Sequence, residues 1–267
     1  MGNNKHYWTK REENALKAQE HYIYMGRTFP NEIVTSINNT KLIDGRTMEL
    51  CPISFAKYLE TSIEVVDMDS VSAIFNYKDY TETMAVLNFA SYKNPGGMFL
   101  KGSTAQEESL CHASTLYNVL SKFPEYYSYN RKNINKSLYT SRALYSPRII
   151  FGKENMTTCC DVITCAAPNW DSASVYHLVP YHENLLVLFE RIRFVLNIAK
   201  CMNVDTLILG AYGCGVFGQN PKDVATAFKD HLESERFKYS FKRVIFAIPD
   251  SRYNSNLNVF KHVFGQI

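Results

Sequence analysis

Apolar and polar positions divide the chain into an opening helical stretch and a longer alternation of strand-like and helix-like segments. Thr9 and Glu12 have the spacing of a capping box, and the amphipathic run from Glu13 to about Met25 predicts a helix behind them. Ile33-Val34 and Thr40 to Leu50 read as short strands, with a turn at Asp44-Gly45. From about Thr61 the period changes. Ser62 to Val66 and Met84 to Phe89 are apolar runs of strand length, and Asp69-Ser70 opens a short helix between them. A helix is predicted from about Glu107 to Leu120. Residues 121–147, rich in Tyr, Lys, Asn and Ser, read as a long surface excursion. Arg148 to Gly152 and Asp161 to Ala167 read as strands. The segment from about His182 to Cys201 carries Leu188, Ile192, Val195 and Ala199 on one helical face. A buried strand from Asp205 to Leu209, a helix from Pro221 to Leu232, a strand from Arg243 to Ile248 and a helix from Asn256 to Phe264 follow. This order predicts an α/β fold, a three-layer sandwich around a mixed, largely parallel sheet. One folded core is expected over residues 61–267, with residues 1–60 packed on it as an N-terminal extension.

Composition removes several function classes. A net charge of +3 over 267 residues, with Lys and Arg dispersed, does not argue for a nucleic-acid binder. The run Tyr126 to Lys136 is basic and Tyr-rich, and reads either as a solvated loop or as a face for a nucleic-acid partner. No apolar run has the length of a membrane span, and the first residues carry neither a signal-peptide core nor the Ser or Thr of a myristoylation pattern. A cytoplasmic protein is therefore expected, with nuclear access if the source is eukaryotic. The seven cysteines, with no pair at CxxC spacing, are expected to be buried reduced thiols. The seven histidines are scattered, which gives no zinc-site spacing.

Two glycine-rich segments follow strand-like runs. They are Asn94-Pro95-Gly96-Gly97-Met98 and Gly210-Ala211-Tyr212-Gly213-Cys214-Gly215-Val216-Phe217-Gly218. Either is a tight turn, or a cradle whose backbone N–H groups face phosphate oxygens. Neither is a P-loop, since no Gly-Lys-Ser/Thr follows. In an open α/β sheet, ligands collect at the carboxyl ends of strands, where both segments lie. Gln106-Glu107-Glu108 then opens a helix. Two acids in a first turn complement the helix dipole. Placed beyond a phosphate-type loop, they also suit cleavage of a ribosyl bond, in which a leaving oxygen is protonated and a water is then deprotonated.

The stretch VLNFASYKNPGGMFLKGSTAQEESLCHASTLY, Val86 to Tyr117, resembles the bacterial-type poly(ADP-ribose) glycohydrolases, a branch of the macrodomain superfamily. Tyr145-Ser146-Pro147, the run Val162 to Asn169, Leu209 to Phe217 and Phe246-Ala247-Ile248 extend the resemblance in order along nearly the whole chain. It implies a three-layer α/β/α macrodomain sandwich with an N-terminal helical extension. It implies a hydrolase that cleaves ribose–ribose O-glycosidic bonds and releases ADP-ribose without cofactor or metal. Glu108 would be the general acid/base, Glu107 would orient the ribose and Glu108, and Gln106 would support the same loop. Gly96 and Gly97 would lie against the distal ribose and diphosphate. Gly213, Cys214, Gly215 and Val216 would wrap the diphosphate, Phe217 would pack on the distal ribose, and Asn88 would reach a ribose hydroxyl or cap its strand end. Asp69 is a candidate for the adenine amino group and equally a helix cap.

The family's third glycine is Met98 here, which bears on the substrate more than on the fold. The expected partner is ADP-ribose or poly(ADP-ribose) on modified proteins. Nucleic acid is expected only as an ADP-ribosylated substrate, a membrane not at all, and the chain is expected to be a monomer. Two alternatives stand beside the glycohydrolase: a hydrolase of mono-ADP-ribosyl groups on protein or DNA, and a macrodomain that binds ADP-ribose without turnover. Retention of both Glu107 and Glu108 favours an enzyme, because binding alone needs no acid/base.

Overall fold

The computed structural model describes residues 2–48, 57–153, 156–251 and 255–266. In chain order the elements are α1 (Gly2–Thr28), α2 (Pro30–Asn39), β1 (Lys41–Asp44), β2 (Ser62–Val66), α3 (Ser70–Asn76) and β3 (Met84–Phe89). A 3-10 turn, Phe99–Lys101, precedes α4 (Gln106–His112), α5 (Leu116–Leu120) and α6 (Pro124–Lys132). Then come β4 (Arg142–Lys153), β5 (Met156–Cys165), α7 (Trp170–His177), α8 (Tyr181–Cys201), β6 (Thr206–Leu209), α9 (Pro221–Glu233), β7 (Arg243–Ala247) and α10 (Asn256–Val263).

The strands form a seven-stranded sheet in the order β1-β4-β5-β3-β6-β7-β2. β3 pairs in parallel with β5 and β6, and β6–β7 and β7–β2 are parallel too. β4 runs against both of its neighbours. Alternate residues of β3 feed two cores. Ala85 and Leu87 pack with α8 residues such as Leu188 and Val195, while Met84 and Val86 pack with Leu110 and Leu116 of α4 and α5. The period-two alternation thus puts helices on both faces, as a largely parallel sheet requires. The three-layer α/β expectation holds. It also fixes the parity of Asn88, which follows Met84 and Val86 and so faces α4.

Several sequence expectations are corrected. Ile33-Val34 is helical, inside α2, where Pro30 occupies the first turn. Ile33 is buried while Val34 is 55% exposed, as on a helix with one covered face. Thr9 does not start the helix but lies inside it: α1 begins at Gly2, and no proline interrupts the chain before Pro30. The strand expected over Thr40 to Leu50 is only Lys41–Asp44, and residues 49–50 lie outside the described residues. The turn at Asp44-Gly45 is present, with Thr47 N donating to Asp44 O.

The helix expected from Glu107 to Leu120 breaks at residues 113–115. There Ser114 Oγ donates to Leu110 O and accepts from Leu116 N, while Thr115 N reaches Ile150 O of β4. Local side-chain bonds of this kind compete with a helix. Residues 121–147 are no surface excursion. They form α6 and half of β4, and Tyr126, Tyr127, Leu138 and Tyr139 are buried. Of the cysteines, Cys111, Cys160 and Cys165 are buried, Cys201 and Cys214 are half-buried, and Cys51 lies outside the described residues. Cys159 is exposed because the outer part of β5 projects beyond β3 and pairs only with β4.

Candidate active site

Strand β3 ends at Asn88-Phe89, and the chain leaves it toward Asn94-Pro95-Gly96-Gly97. Helix α4 is held against that strand end by Gln106. Its Oε1 accepts from Phe89 N at 2.9 Å, and its Nε2 donates to Leu87 O at 2.9 Å and to Ser70 Oγ at 3.1 Å. One side chain therefore ties α4, β3 and α3 together at the site.

Glu107 and Glu108 point into the same loop from the first turn of α4 and are both buried. Glu107 Oε2 accepts from Ser91 N at 2.6 Å, and its Oε1 accepts from Asn88 Nδ2 at 3.2 Å. Burial nevertheless dominates and, with the neighbouring Glu108 charge, pushes the Glu107 carboxyl up to about 8. Glu108 Oε1 accepts from Met98 N at 2.8 Å. Gly97 has φ +60, and a Cβ there would lie 2.5 Å from Glu108 Oε1. Only glycine lets the backbone come this close to the carboxylate. Met98 has φ −111, a conformation any residue adopts. Its N–H serves Glu108, so the family's third glycine is not required here for backbone geometry.

Asn88 sits behind this pair. Its Nδ2 also donates to Thr164 Oγ1 at 3.3 Å, and its Oδ1 is buried with no hydrogen-bond partner.

Two cavities open beside Gln106. One, of about 250 Å³, is lined by Asp69, Ser70, Phe89, Gln106, Ala247, Pro249 and Asn256, among others. The other, of about 190 Å³, is lined by Phe89, Gln106, Ala211, Tyr212, Gly213, Gly215, Val216 and Phe217. Phe89, Gln106 and Ala211 belong to both, so the two adjoin. Glu107 and Glu108 line neither; they stand one and two residues beyond Gln106. Asp69 lines the larger cavity and also caps α3, with Ser72 N on Oδ1 at 2.8 Å and Ser72 Oγ on Oδ2 at 3.0 Å.

The second glycine loop borders the smaller cavity. The N–H groups of Gly213, Gly215, Val216 and Phe217 have no acceptor among the described residues. Cys214 differs, since its N–H turns inward to Ala211 O. Its thiol is pushed up to about 12 by burial, so it is no nucleophile at neutral pH. Val216 is 83% exposed, while Phe217 packs edge-on against Tyr139, which stacks on Tyr92.

The base of this loop is held by residues that sequence reasoning passed over. Gln219 N donates to Gly213 O at 3.0 Å. Gln219 and Asn184 exchange two amide bonds of 2.9 Å, and Gln219 Nε2 also donates to Pro168 O at 2.8 Å. Among the described residues no group of three or more His, Cys, Asp or Glu is arranged to hold a metal.

The family model for the microbial-type PARG catalytic domain matches residues 4–154. The chain belongs to the microbial-type PARG family. PARG denotes poly(ADP-ribose) glycohydrolase, and the chain is accordingly a glycosidase-type hydrolase. The PARG of Thermomonospora curvata superposes with a TM-score of 0.86 at 27% identity, over 95% of this chain and 100% of that one. The Deinococcus radiodurans PARG in complex with ADP-ribose gives 0.80 at 32% identity, over 88% and 98%. The T. curvata enzyme bound to the inhibitor ADP-HPD gives 0.81 at 26% identity, over 94% and 99%. No curated protein matches.

Proposed function

We propose that the two adjoining cavities receive the terminal ADP-ribose of a poly(ADP-ribose) chain on a modified protein, and that Glu108 is the general acid/base of its hydrolysis. The observation that carries this reading is the placement of Glu108. Its carboxylate is buried, touches the Gly97-Met98 backbone, and lies two residues from Gln106, which lines both cavities. Solved relatives carry ADP-ribose or the inhibitor ADP-HPD, which supports ADP-ribose as the ligand.

In this reading the free N–H groups of Gly213, Gly215, Val216 and Phe217 take the diphosphate, since successive N–H groups form an anion-binding concavity. The larger cavity takes the adenosine, with Asp69 and Asn256 at its polar rim. Gly96 and Gly97 let the distal ribose approach the carboxylates. Protonated Glu108 gives its proton to the leaving ribose oxygen as the C–O bond breaks and the anomeric carbon becomes cation-like. The carboxylate then takes a proton from the attacking water, so a new C–O bond forms and both products end with a hydroxyl. Glu107, with its raised proton affinity, orients a ribose hydroxyl, and Asn88 backs it through Nδ2.

A second reading is favoured by Met98. Its half-buried side chain stands where the resemblance has glycine, which would bias the enzyme toward mono-ADP-ribosyl groups on protein or DNA.

The test compares wild type and Glu108→Gln on poly-ADP-ribosylated protein, following free ADP-ribose. Wild type is expected to release it. Glu108→Gln is expected to lose about 10²–10⁴-fold in turnover while retaining ADP-ribose binding, the usual size of a general acid/base contribution. Equal release by both proteins removes Glu108 from the role. Release only from mono-ADP-ribosylated substrates selects the second reading, and ADP-ribose binding without any release would leave a binding module.

A further inference from the structure

The loop that donates to Glu108 is gripped from behind by helix α1. Lys101 N and Ser103 N both donate to Met98 O, at 2.9 and 3.3 Å, so Met98 caps the start of the 3-10 turn. That turn ends at Gly102, with φ +78. A Cβ on Gly102 would overlap the Arg11 carbonyl of α1 and lie 3.0 Å from Ala15 N, so the turn is seated directly on the helix backbone. Arg11 Nε donates to Lys101 O at 2.9 Å and closes the contact.

A second strut reaches the other end of the loop. Tyr22 of α1 packs edge-on against Tyr117 with ring centres 5.3 Å apart, and Asn118 Nδ2 donates to Tyr22 O at 3.1 Å. Tyr117 and Cys111 lie directly beneath Gly96, where a Cβ would come within 2.7 Å of the Tyr117 ring and 3.2 Å of Cys111 Sγ. The segment from Gly96 to Gly102 is therefore fixed at both ends by contacts with α1 or with residues that α1 supports.

We propose that α1 is a positioning element for the catalytic carboxylate. Arg11, Gly102 and Tyr117 would act through the 3-10 turn and the Met98 N–H, and none of them would touch substrate. The inference rests on the reading of Glu108 given above. A displacement on the order of 1 Å in catalytic geometry costs about 10²-fold in rate, so a helix that fixes the turn can govern turnover without contributing to the ligand cavities. None of the residues lining the two cavities comes from α1.

The test uses the full chain and three variants. Arg11→Ala removes one surface hydrogen bond to the turn, Arg11→Lys keeps a donor there, and Gly102→Ala forces the turn off the helix. Arg11→Ala is expected to lower kcat on poly(ADP-ribose) by about five-fold, with KM and ADP-ribose affinity unchanged within about two-fold. Arg11→Lys is expected to recover most of the loss. Gly102→Ala, if folded, is expected to lose about 10²-fold in kcat. In both Arg11→Ala and Gly102→Ala, backbone amides of residues 94–103 are expected to exchange with solvent faster than in wild type.

Wild-type kcat and wild-type exchange in Arg11→Ala would overturn the proposal. So would a parallel fall in kcat and ADP-ribose affinity, which would make α1 a support of the whole fold. If Gly102→Ala does not fold, the two Arg11 variants decide. A wild-type chain with no turnover on any ADP-ribosyl substrate would instead refute the reading of Glu108, and amide exchange would still report whether α1 grips the loop.

Discussion

The main-chain N–H of Met98 donates to Glu108 Oε1 over 2.8 Å, and Gly97 beside it leaves room for no side chain. The two positions therefore respond differently to substitution. Gly97→Ala places a methyl group on the carboxylate and holds a non-glycine residue at φ +60. The expected cost is about 1–2 kcal/mol of stability from the left-handed backbone alone, together with a turnover loss of about 10²-fold. Thermal unfolding and steady-state kinetics measure the two.

Met98→Gly should keep the donor to Glu108, because the backbone at this residue is ordinary. The cost is the entropy of an added glycine, about 0.5–1 kcal/mol. If the Met98 side chain narrows access to the site, the ratio of polymer to mono-ADP-ribosyl turnover rises. An unchanged ratio places that side chain outside the substrate path.

Glu107 makes stability depend on pH in a defined direction. Its carboxyl is raised from 4.5 to about 8 by burial. Below the ordinary value the folded and unfolded chains are both protonated and no penalty arises. Between 4.5 and about 8 the folded chain holds a proton that the unfolded chain has released, so this group's contribution to stability falls as pH rises. Above about 8 the penalty is complete. Glu107→Gln removes the titration, and rotation of the Asn88 amide can turn its unpartnered Oδ1 toward the new NH₂ group. Thermal midpoints measured from pH 5 to pH 9 should fall less steeply in the variant. Parallel curves would show that Glu107 does not titrate in this window.

Gln106→Ala leaves Phe89 N and Leu87 O at the end of β3 without their side-chain partner. An unsatisfied buried group costs about 1–3 kcal/mol. Because Gln106 lines both cavities, ADP-ribose affinity measured by calorimetry should fall along with the unfolding midpoint.

Gln219→Ala separates these two effects for the second loop. It strands the buried Asn184 amide and frees the Pro168 carbonyl, again at about 1–3 kcal/mol. Gln219 lines neither cavity, so weaker ADP-ribose binding in a folded variant would show that the Gly213 loop must be held from below.

Much of the candidate site is legible in the sequence because its parts are local. Met84 to Phe89 and Thr206 to Leu209 are short apolar runs, the second followed at once by Gly210 and the first by Gly96-Gly97 after a short connection, and Gln106-Glu107-Glu108 is contiguous. What stayed hidden depends on distant partners. Asn184 and Gln219 are 35 residues apart, and nothing local in either segment announces an amide pair. Arg191 lies among apolar positions of α8 and is itself buried. Its guanidinium serves Ser141 Oγ and the carbonyls of Leu138 and Ala166. Tyrosine, lysine and asparagine crowd the stretch around Tyr126 and Tyr127 and give it the composition of a surface segment. Phenol rings bury readily when helix α6 turns one face to the core.

The sheet order has a consequence for how the enzyme comes into being. β3 occupies the fourth of seven places, and its two flanks arrive late in the chain, from Asp161–Cys165 and Thr206–Ile208. Residues 4–154 contain Asn88, both glutamates and the first glycine loop, yet neither neighbour of strand β3. A nascent chain therefore carries Asn88, Glu107 and Glu108 before either neighbour of β3 has been made. Loop closure over such separations is slow, so synthesis and maturation of activity should be separable in time.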